Sequence, residues 1–157
     1  MEERWLSVLG NMTYGIYVLT TSHGPVVNGM IASWVSQVSY DPPKVMAAIH
    51  QNRFSHELIQ QSGCFALHLL RRNQKDLLTR FKLPEPVEKF ESIPWKKGRY
   101  GCPILMDCLG YLECVVTEKY SPGNHTLFIG EIMDGQIFSD DEAMNTLDYS
   151  GFYRGKD

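Results

Sequence analysis

From Gly15 onward, short β-branched and aromatic runs alternate with turn residues. Gly15 to Thr21 is predicted as a strand, with Ser22 to Pro25 as its turn. Residues 26 to 40 continue as strand until Asp41-Pro42-Pro43, where proline fixes φ and forces its predecessor to be extended or turning. Lys44 to His50 reads as a buried strand, and Gln51 to Gly63 as a loop and short helix capped by Asn52 or Ser55 and closed by its glycine. Parallel strands need crossovers of about a dozen residues or more, so connections this short predict an antiparallel sheet or barrel. Cys64 to Leu70 is a further strand, and Asn73 caps a helix over Gln74 to Phe81.

Leu109 to Tyr120 alternates, with Leu112, Cys114 and Val116 on one face. Ser121 to Asn124 suits a type II turn, and His125 to Met133 with Gln136 to Phe138 makes the return strand. Glu2 to Leu9 forms an amphipathic helix through Trp5, Val8 and Leu9, ended by Gly10. Lys82 to Gly101 lacks periodicity and reads as a long surface excursion; its Phe90, Trp95 and Tyr100 anchor the loop, pack on a partner or roof a site. The tail with Leu147, Tyr149, Gly151, Phe152 and Tyr153 is too aromatic for disorder and reads as a strap on the barrel. The fold class expected is mainly β, an antiparallel barrel with a few peripheral helices, formed by residues 1–157 as one domain.

Composition narrows the chemistry. A chain of 157 residues that is 43% hydrophobic can build one good core, and no internal repeat divides it. With a net charge of −3, and with Arg71-Arg72 and Lys96-Lys97 as its only basic pairs, it lacks an electrostatic surface for nucleic acid. No apolar run approaches the ~20 residues of a membrane span, and Met-Glu-Glu-Arg is not a signal peptide, so a cytoplasmic protein is expected. The four cysteines form no Cys-x-x-Cys pair and the five histidines no i, i+4 zinc pair. Redox chemistry would therefore come from an organic cofactor rather than a metal. No Gly-x-Gly-x-x-Gly is present, which excludes a Rossmann dinucleotide domain.

The densest cluster of small residues is Asn28 to Pro43. Gly29 and Ala32 would let a flat ligand approach the main chain, and Ser33, Ser36 and Ser39 offer short hydroxyls. The competing reading is a half-buried strand whose serines face water. The helix start at Asn52 to His56, with Arg53 and Ser55, is a ready anion site. Asn28 to Pro43 followed by Asn52 to His56 resembles the flavin reductase-like family, the FMN-binding split-barrel proteins of Greek-key type.

The resemblance implies that Asn28, Gly29, Met30, Ala32, Ser33, Trp34, Val35 and Ser36 hold the isoalloxazine ring. It also implies that Asn52, Arg53, Ser55 and His56 hold the phosphate, and that Tyr153 belongs to the FMN site. It extends through Gly123-Asn124-His125-Thr126, where the family usually carries Gly-Asp-His with the histidine beside the flavin. His125 matches and is the implied catalytic residue. Asn124 departs, and an amide cannot hold an imidazolium as a carboxylate would. Trp34 makes the segment look closer to flavoredoxin and to the reductase modules of rubredoxin and diflavin proteins. An indole there would favour retained FMN.

The resemblance implies a homodimer in which NADH or NADPH passes hydride to FMN. Electrons would go on to free flavin, ferric iron or a small iron protein such as rubredoxin acting as redox partner. Two rivals stay open: an FMN-binding electron carrier without nicotinamide activity, and an OB-like oligonucleotide binder, which the acidic charge opposes.

Overall fold

The structure, a computed structural model, describes residues 2–149 and 153–156. Gly151 and Phe152 of the predicted strap lie outside the described residues. The strands are β1 (Tyr17–His23), β2 (Val26–Ala32), β3 (Val35–Ser39), β4 (Lys44–His50), β5 (Cys64–Leu69), β6 (Trp95–Lys97), β7 (Pro103–Leu105), β8 (Gly110–Tyr120) and β9 (His125–Ile137). Seven of them form one antiparallel sheet in the order β2-β1-β5-β8-β9-β4-β3, and β6 pairs with β7. β2 and β3 lie at opposite edges of that sheet, yet only Ser33 and Trp34 join them. Two residues bridge at most about 11 Å between flanking Cα atoms, so the sheet must roll until its edges meet. The result is a barrel with a seam between β2 and β3.

The inward positions of the strands fill this barrel: Leu19, Ala32, Val45, Ala47, Ile49, Phe65, Leu67, Cys114 and Phe128 form one buried cluster. At about 25 cal/mol per Å² of apolar surface, such side chains supply the main driving force for closure. The β8–β9 hairpin is as predicted in extent, but its turn is not type II. That turn needs a positive φ at Gly123, and the left-handed glycines among the described residues are Gly24, Gly63, Gly101 and Gly155.

α1 (Glu2–Leu9) precedes the barrel, and its Trp5, Val8 and Leu9 are solvent-exposed. α2 (Phe54–Ser62) is capped at Arg53 without a side-chain hydrogen bond, so neither Asn52 nor Ser55 is its cap. It ends as predicted at Gly63, whose φ of 72° lets its N–H reach the Ile59 carbonyl. α3 (Lys75–Arg80) starts from Gln74 rather than Asn73.

The 82–101 segment is more ordered than its sequence suggests. It contains α4 (Pro86–Lys89) and β6, and it buries Phe90 with Leu77, Leu78 and Phe81 against Ile16, Val18 and Leu105. Gly29 is where this layer docks: a Cβ there would lie 2.6 Å from Phe81 Cε1 and 3.3 Å from Phe90 Cζ. Its missing side chain makes room for aromatic rings of the same chain, which corrects the expectation that it opens the backbone to a ligand. No helix among the described residues is long and apolar enough to cross a membrane.

Candidate functional site

Where the seam passes under the 82–101 segment, a cavity of about 470 Å³ opens. One wall is the seam strand itself, Asn28, Met30, Ile31, Ala32, Ser33 and Trp34; Phe81 to Pro84 and Lys89 come from above, and Thr146, Tyr149 and Tyr153 from the tail. Ile16, Ala48, His50 and Arg53 complete it. Small-molecule pockets typically measure roughly 300–1,000 Å³ and pair apolar walls with a few placed polar groups, so the size and lining suit a flat aromatic cofactor. A second cavity, of about 380 Å³, is walled by Arg71, Asp76, Arg80 and Asp107 among others. There Arg71 pairs with Asp107 at 2.8 Å and Arg80 donates to the Glu88 and Glu91 carbonyls, so its arginines have partners of their own.

The charge of the main cavity has one sign. Arg53, Lys82 and Lys89 line it, and among the described residues no carboxylate does. Lys89 is buried, and its Nζ donates to Asn28 Oδ1 at 2.9 Å and to the Gly29 carbonyl at 2.8 Å. Burial, and then the nearby Arg53 charge, lower its pKa from the ordinary lysine value. Asn28 Nδ2 donates in turn to Ser55 Oγ at 2.9 Å, tying β2, α2 and α4 together at the cationic end.

Also at the cavity, Trp34 packs against His125, with ring centroids 4.6 Å apart, and against Tyr153 at 5.0 Å. His125 Nδ1 lies 2.7 Å from Asn124 Oδ1, and its Nε2 lies 2.7 Å from the Tyr153 hydroxyl. His50 is the neighbouring ring, at 5.1 Å. Its Nδ1 accepts from the Asn52 N–H at 3.0 Å, so the proton sits on Nε2, which faces the Lys156 carbonyl at 3.2 Å. Gly155 has φ 77°, and a Cβ there would meet Trp34 Cη2 at 2.6 Å. Residues 153–156 thus lie as a strap across the two histidines and the indole. The strap expected from the aromatic tail is present at Tyr153, on the site rather than remote from it.

Of the residues expected in the site, Asn28, Met30, Ala32, Ser33, Trp34, Arg53 and Tyr153 line the cavity. Val35 packs on the barrel core, and the exposed Ser36 hydroxyl donates to the Gln37 carbonyl. Ser55 is buried beneath Asn28, and His56 Nε2 lies 2.6 Å from Thr126 Oγ1, so both stand one layer behind the surface offered to a ligand. Asn52 contributes through its backbone to His50. His125 also stands behind the lining and reaches the cavity through Trp34 and Tyr153. Lys89, His50, Lys82 and Tyr149 were not expected there.

The sequence profile described as "Flavin reductase like domain" matches residues 9–156. This chain belongs to that family. It is 32% identical over 151 residues to the high molecular weight rubredoxin of Moorella thermoacetica, covering 94% of this chain and 66% of that protein. It spans 23% of diflavin flavoprotein A 1 of Synechocystis, so these flavin reductase-like relatives are longer proteins that carry more than the matched part. Over 149 residues it is 32% identical to the flavin-dependent monooxygenase reductase subunit HsaB of Mycobacterium tuberculosis, covering 95% of this chain and 79% of that one. The solved NADH:FAD oxidoreductase SgcE6 of Streptomyces globisporus, in complex with NAD and FAD fragments, superposes with a TM-score of 0.83 at 26% identity, over 92% of this chain and 87% of that chain. The flavin reductase-like fold inferred from Asn28 to His56 is therefore the fold the chain adopts.

Proposed function

We propose that this chain is an FMN-binding oxidoreductase that takes hydride from NADH or NADPH and passes electrons to a second acceptor. The observation that carries the reading is the cavity at the seam: apolar and aromatic walls, three cationic side chains and, among the described residues, no carboxylate, in a chain whose net charge is −3. An anionic, flat cofactor matches that lining in shape and in sign. When bound, FMN supplies the redox chemistry, accepting two electrons as hydride and releasing them to the next acceptor.

The chain's own residues do the rest. Arg53, with Lys82 and Lys89 nearby, would hold the phosphate. Met30, Ala32 and Trp34 would flank the ring system, and the strap over Trp34 and His125 would exclude water from that side. FMN rather than riboflavin should be preferred by about tenfold to a hundredfold, the worth of one charge-assisted hydrogen bond. Titrating the flavin-free protein with both, followed by flavin fluorescence, tests this; equal affinities would move the phosphate away from Arg53.

For the acceptor we propose free flavin or a small iron protein. The relatives named as a rubredoxin and as a monooxygenase reductase subunit support those two classes. We also propose a homodimer, supported by the exposed Trp5, Val8, Leu9 and Met12 in and after α1, an apolar stripe that a second copy would cover. Phe90 no longer supports it, because the chain buries that ring itself. A second functional reading, an electron carrier without nicotinamide activity, is favoured by the strap at Gly155, which narrows access beside Trp34. Anaerobic exposure to both nicotinamides separates the two.

A further inference from the structure

On the outer face of β5, away from the cavity, two thiols meet. Cys64 opens β5 and Cys102 precedes β7; Cys102 Sγ donates to Cys64 Sγ across 3.4 Å. Both are buried. Cys64 Sγ also lies 3.5 Å from the Tyr100 carbonyl and 3.6 Å from Ser62 Oγ. The contact is held from below by Glu113 of β8, whose Oε2 accepts from the Tyr100 N–H at 3.0 Å and the Cys102 N–H at 3.3 Å. Gly98 leaves room for that carboxylate, since a Cβ there would come within 2.6 Å of it, and Ser22 Oγ pins the Gly101 carbonyl at 2.7 Å. β8 pairs with β5 through Cys64↔Val115, so both thiols are fixed relative to one strand.

We propose that Cys64 and Cys102 are a peroxide-reactive dithiol that hydrogen peroxide converts to an intramolecular disulfide. Cys64, as thiolate, attacks one peroxide oxygen; the O–O bond breaks, and the departing hydroxide recovers the thiol proton as water, leaving a sulfenic acid. Cys102 sulfur then attacks Cys64 sulfur, the S–O bond breaks as the S–S bond forms, and the hydroxyl leaves with the Cys102 proton as a second water. Two thiols are oxidised by two electrons, and one peroxide is reduced to two waters.

The geometry asks for little: a disulfide bond is about 2.05 Å long, so the sulfurs close by about 1.4 Å. The roles follow from the hydrogen bond. The Cys102 S–H, helped by the Ser62 hydroxyl and against the effects of burial and the Glu113 charge, lowers Cys64 to about 7, and the same bond with burial raises Cys102. Cys64 is therefore the attacking sulfur and Cys102 the resolving one. Cys108 and Cys114 are raised, chiefly by burial, to about 11 and about 12, and serve as internal controls. The bridge would fasten the end of the 82–101 segment to the barrel.

The test uses the full-length, flavin-loaded protein. It is treated with a few equivalents of hydrogen peroxide, denatured, alkylated with N-ethylmaleimide and mapped by peptide mass spectrometry. The expected result is one cross-linked Cys64–Cys102 peptide within the chain, reversed by dithiothreitol, with Cys108 and Cys114 alkylated. In Cys102→Ser, oxidation should stop at a Cys64 sulfenic acid that dimedone traps. Four alkylated cysteines after peroxide, a bridge involving Cys108 or Cys114, a cross-link between chains, or wild-type Cys64 oxidised without a bridge would each overturn the proposal. The wild-type map decides the matter whether or not the variant folds.

Discussion

Asn124 and His125, adjacent in sequence, fix each other in space: the amide oxygen lies 2.7 Å from Nδ1 of the ring. Asn124 Nδ2 donates to the Gly155 carbonyl at 2.8 Å, which leaves Oδ1 as the acceptor. The ring proton is therefore on Nδ1, and Nε2 accepts from the Tyr153 hydroxyl. Burial first, then the neighbouring His50 ring and the Arg53 charge, hold His125 below the ordinary histidine value, so a neutral ring serves as the link between the hairpin and the strap. The asparagine does what an aspartate cannot, because a carboxylate has no proton to give the Gly155 carbonyl.

Asn124→Asp should therefore raise the His125 pKa, through the adjacent opposite charge, while loosening residues 153–156. Imidazole titration by NMR measures the first effect and limited proteolysis of the C-terminal end the second. An unchanged His125 pKa would show that the side chains do not share this bond.

His125→Ala removes the ring against which Trp34 and Tyr153 rest. As a positioning residue it should lower the rate of flavin reduction about tenfold while FMN stays bound, toward the low end for a lost electrostatic donor because it acts through its neighbours. Stopped-flow reduction with NADH and NADPH, together with FMN occupancy, separates this from a structural role. A protein that loses flavin yet reduces the remainder at the normal rate would assign His125 to stability alone.

Arg53→Ala should weaken FMN by about tenfold to a hundredfold and leave riboflavin nearly unchanged, since a charge-assisted hydrogen bond is worth about 1.5–3 kcal/mol and riboflavin carries no phosphate to lose it. Calorimetric titration of both flavins checks the difference.

What the sequence disclosed follows from how local each signal was. Strand alternation and short connections revealed the antiparallel barrel because both are written within a few residues. The Asn28 to Trp34 wall was legible for the same reason. Lys89 was not: it reads as a solvated charge in a Pro- and Glu-rich stretch, and only the docking of α4 on Gly29, 60 residues earlier, buries its ammonium group beside Asn28. His50 left one trace, a histidine closing an apolar strand just before the Asn52 to His56 loop. Gly29 was seen as small but for the wrong reason, because the rings that fill its space come from far along the chain: Phe81 ends the predicted helix and Phe90 lies in a segment without periodicity.

His68 makes a prediction about acid stability. It is fully buried, with Nδ1 3.0 Å from the Val18 carbonyl and Nε2 accepting from the Leu105 N–H at 3.0 Å. Burial lowers it from 6.5 to about 4. The unfolded chain then binds this proton first as pH falls, so the contribution is complete above pH 6.5 and is lost between 6.5 and about 4. At 1.36 kcal/mol per unit that amounts to on the order of 3 kcal/mol. Urea unfolding across this range, compared with His68→Gln, should show a steeper acid loss in the wild type; parallel curves would contradict it.

The central claim is that the cavity at the β2–β3 seam holds FMN in a form that a nicotinamide can reduce. The most direct measurement is the visible spectrum of the FMN-loaded protein, mixed anaerobically with NADH and, separately, with NADPH. The account predicts that the yellow flavin absorption bleaches with at least one of them and returns when air is admitted. A spectrum that stays oxidised with both, while dithionite bleaches it at once, would contradict the account and leave an electron carrier in its place.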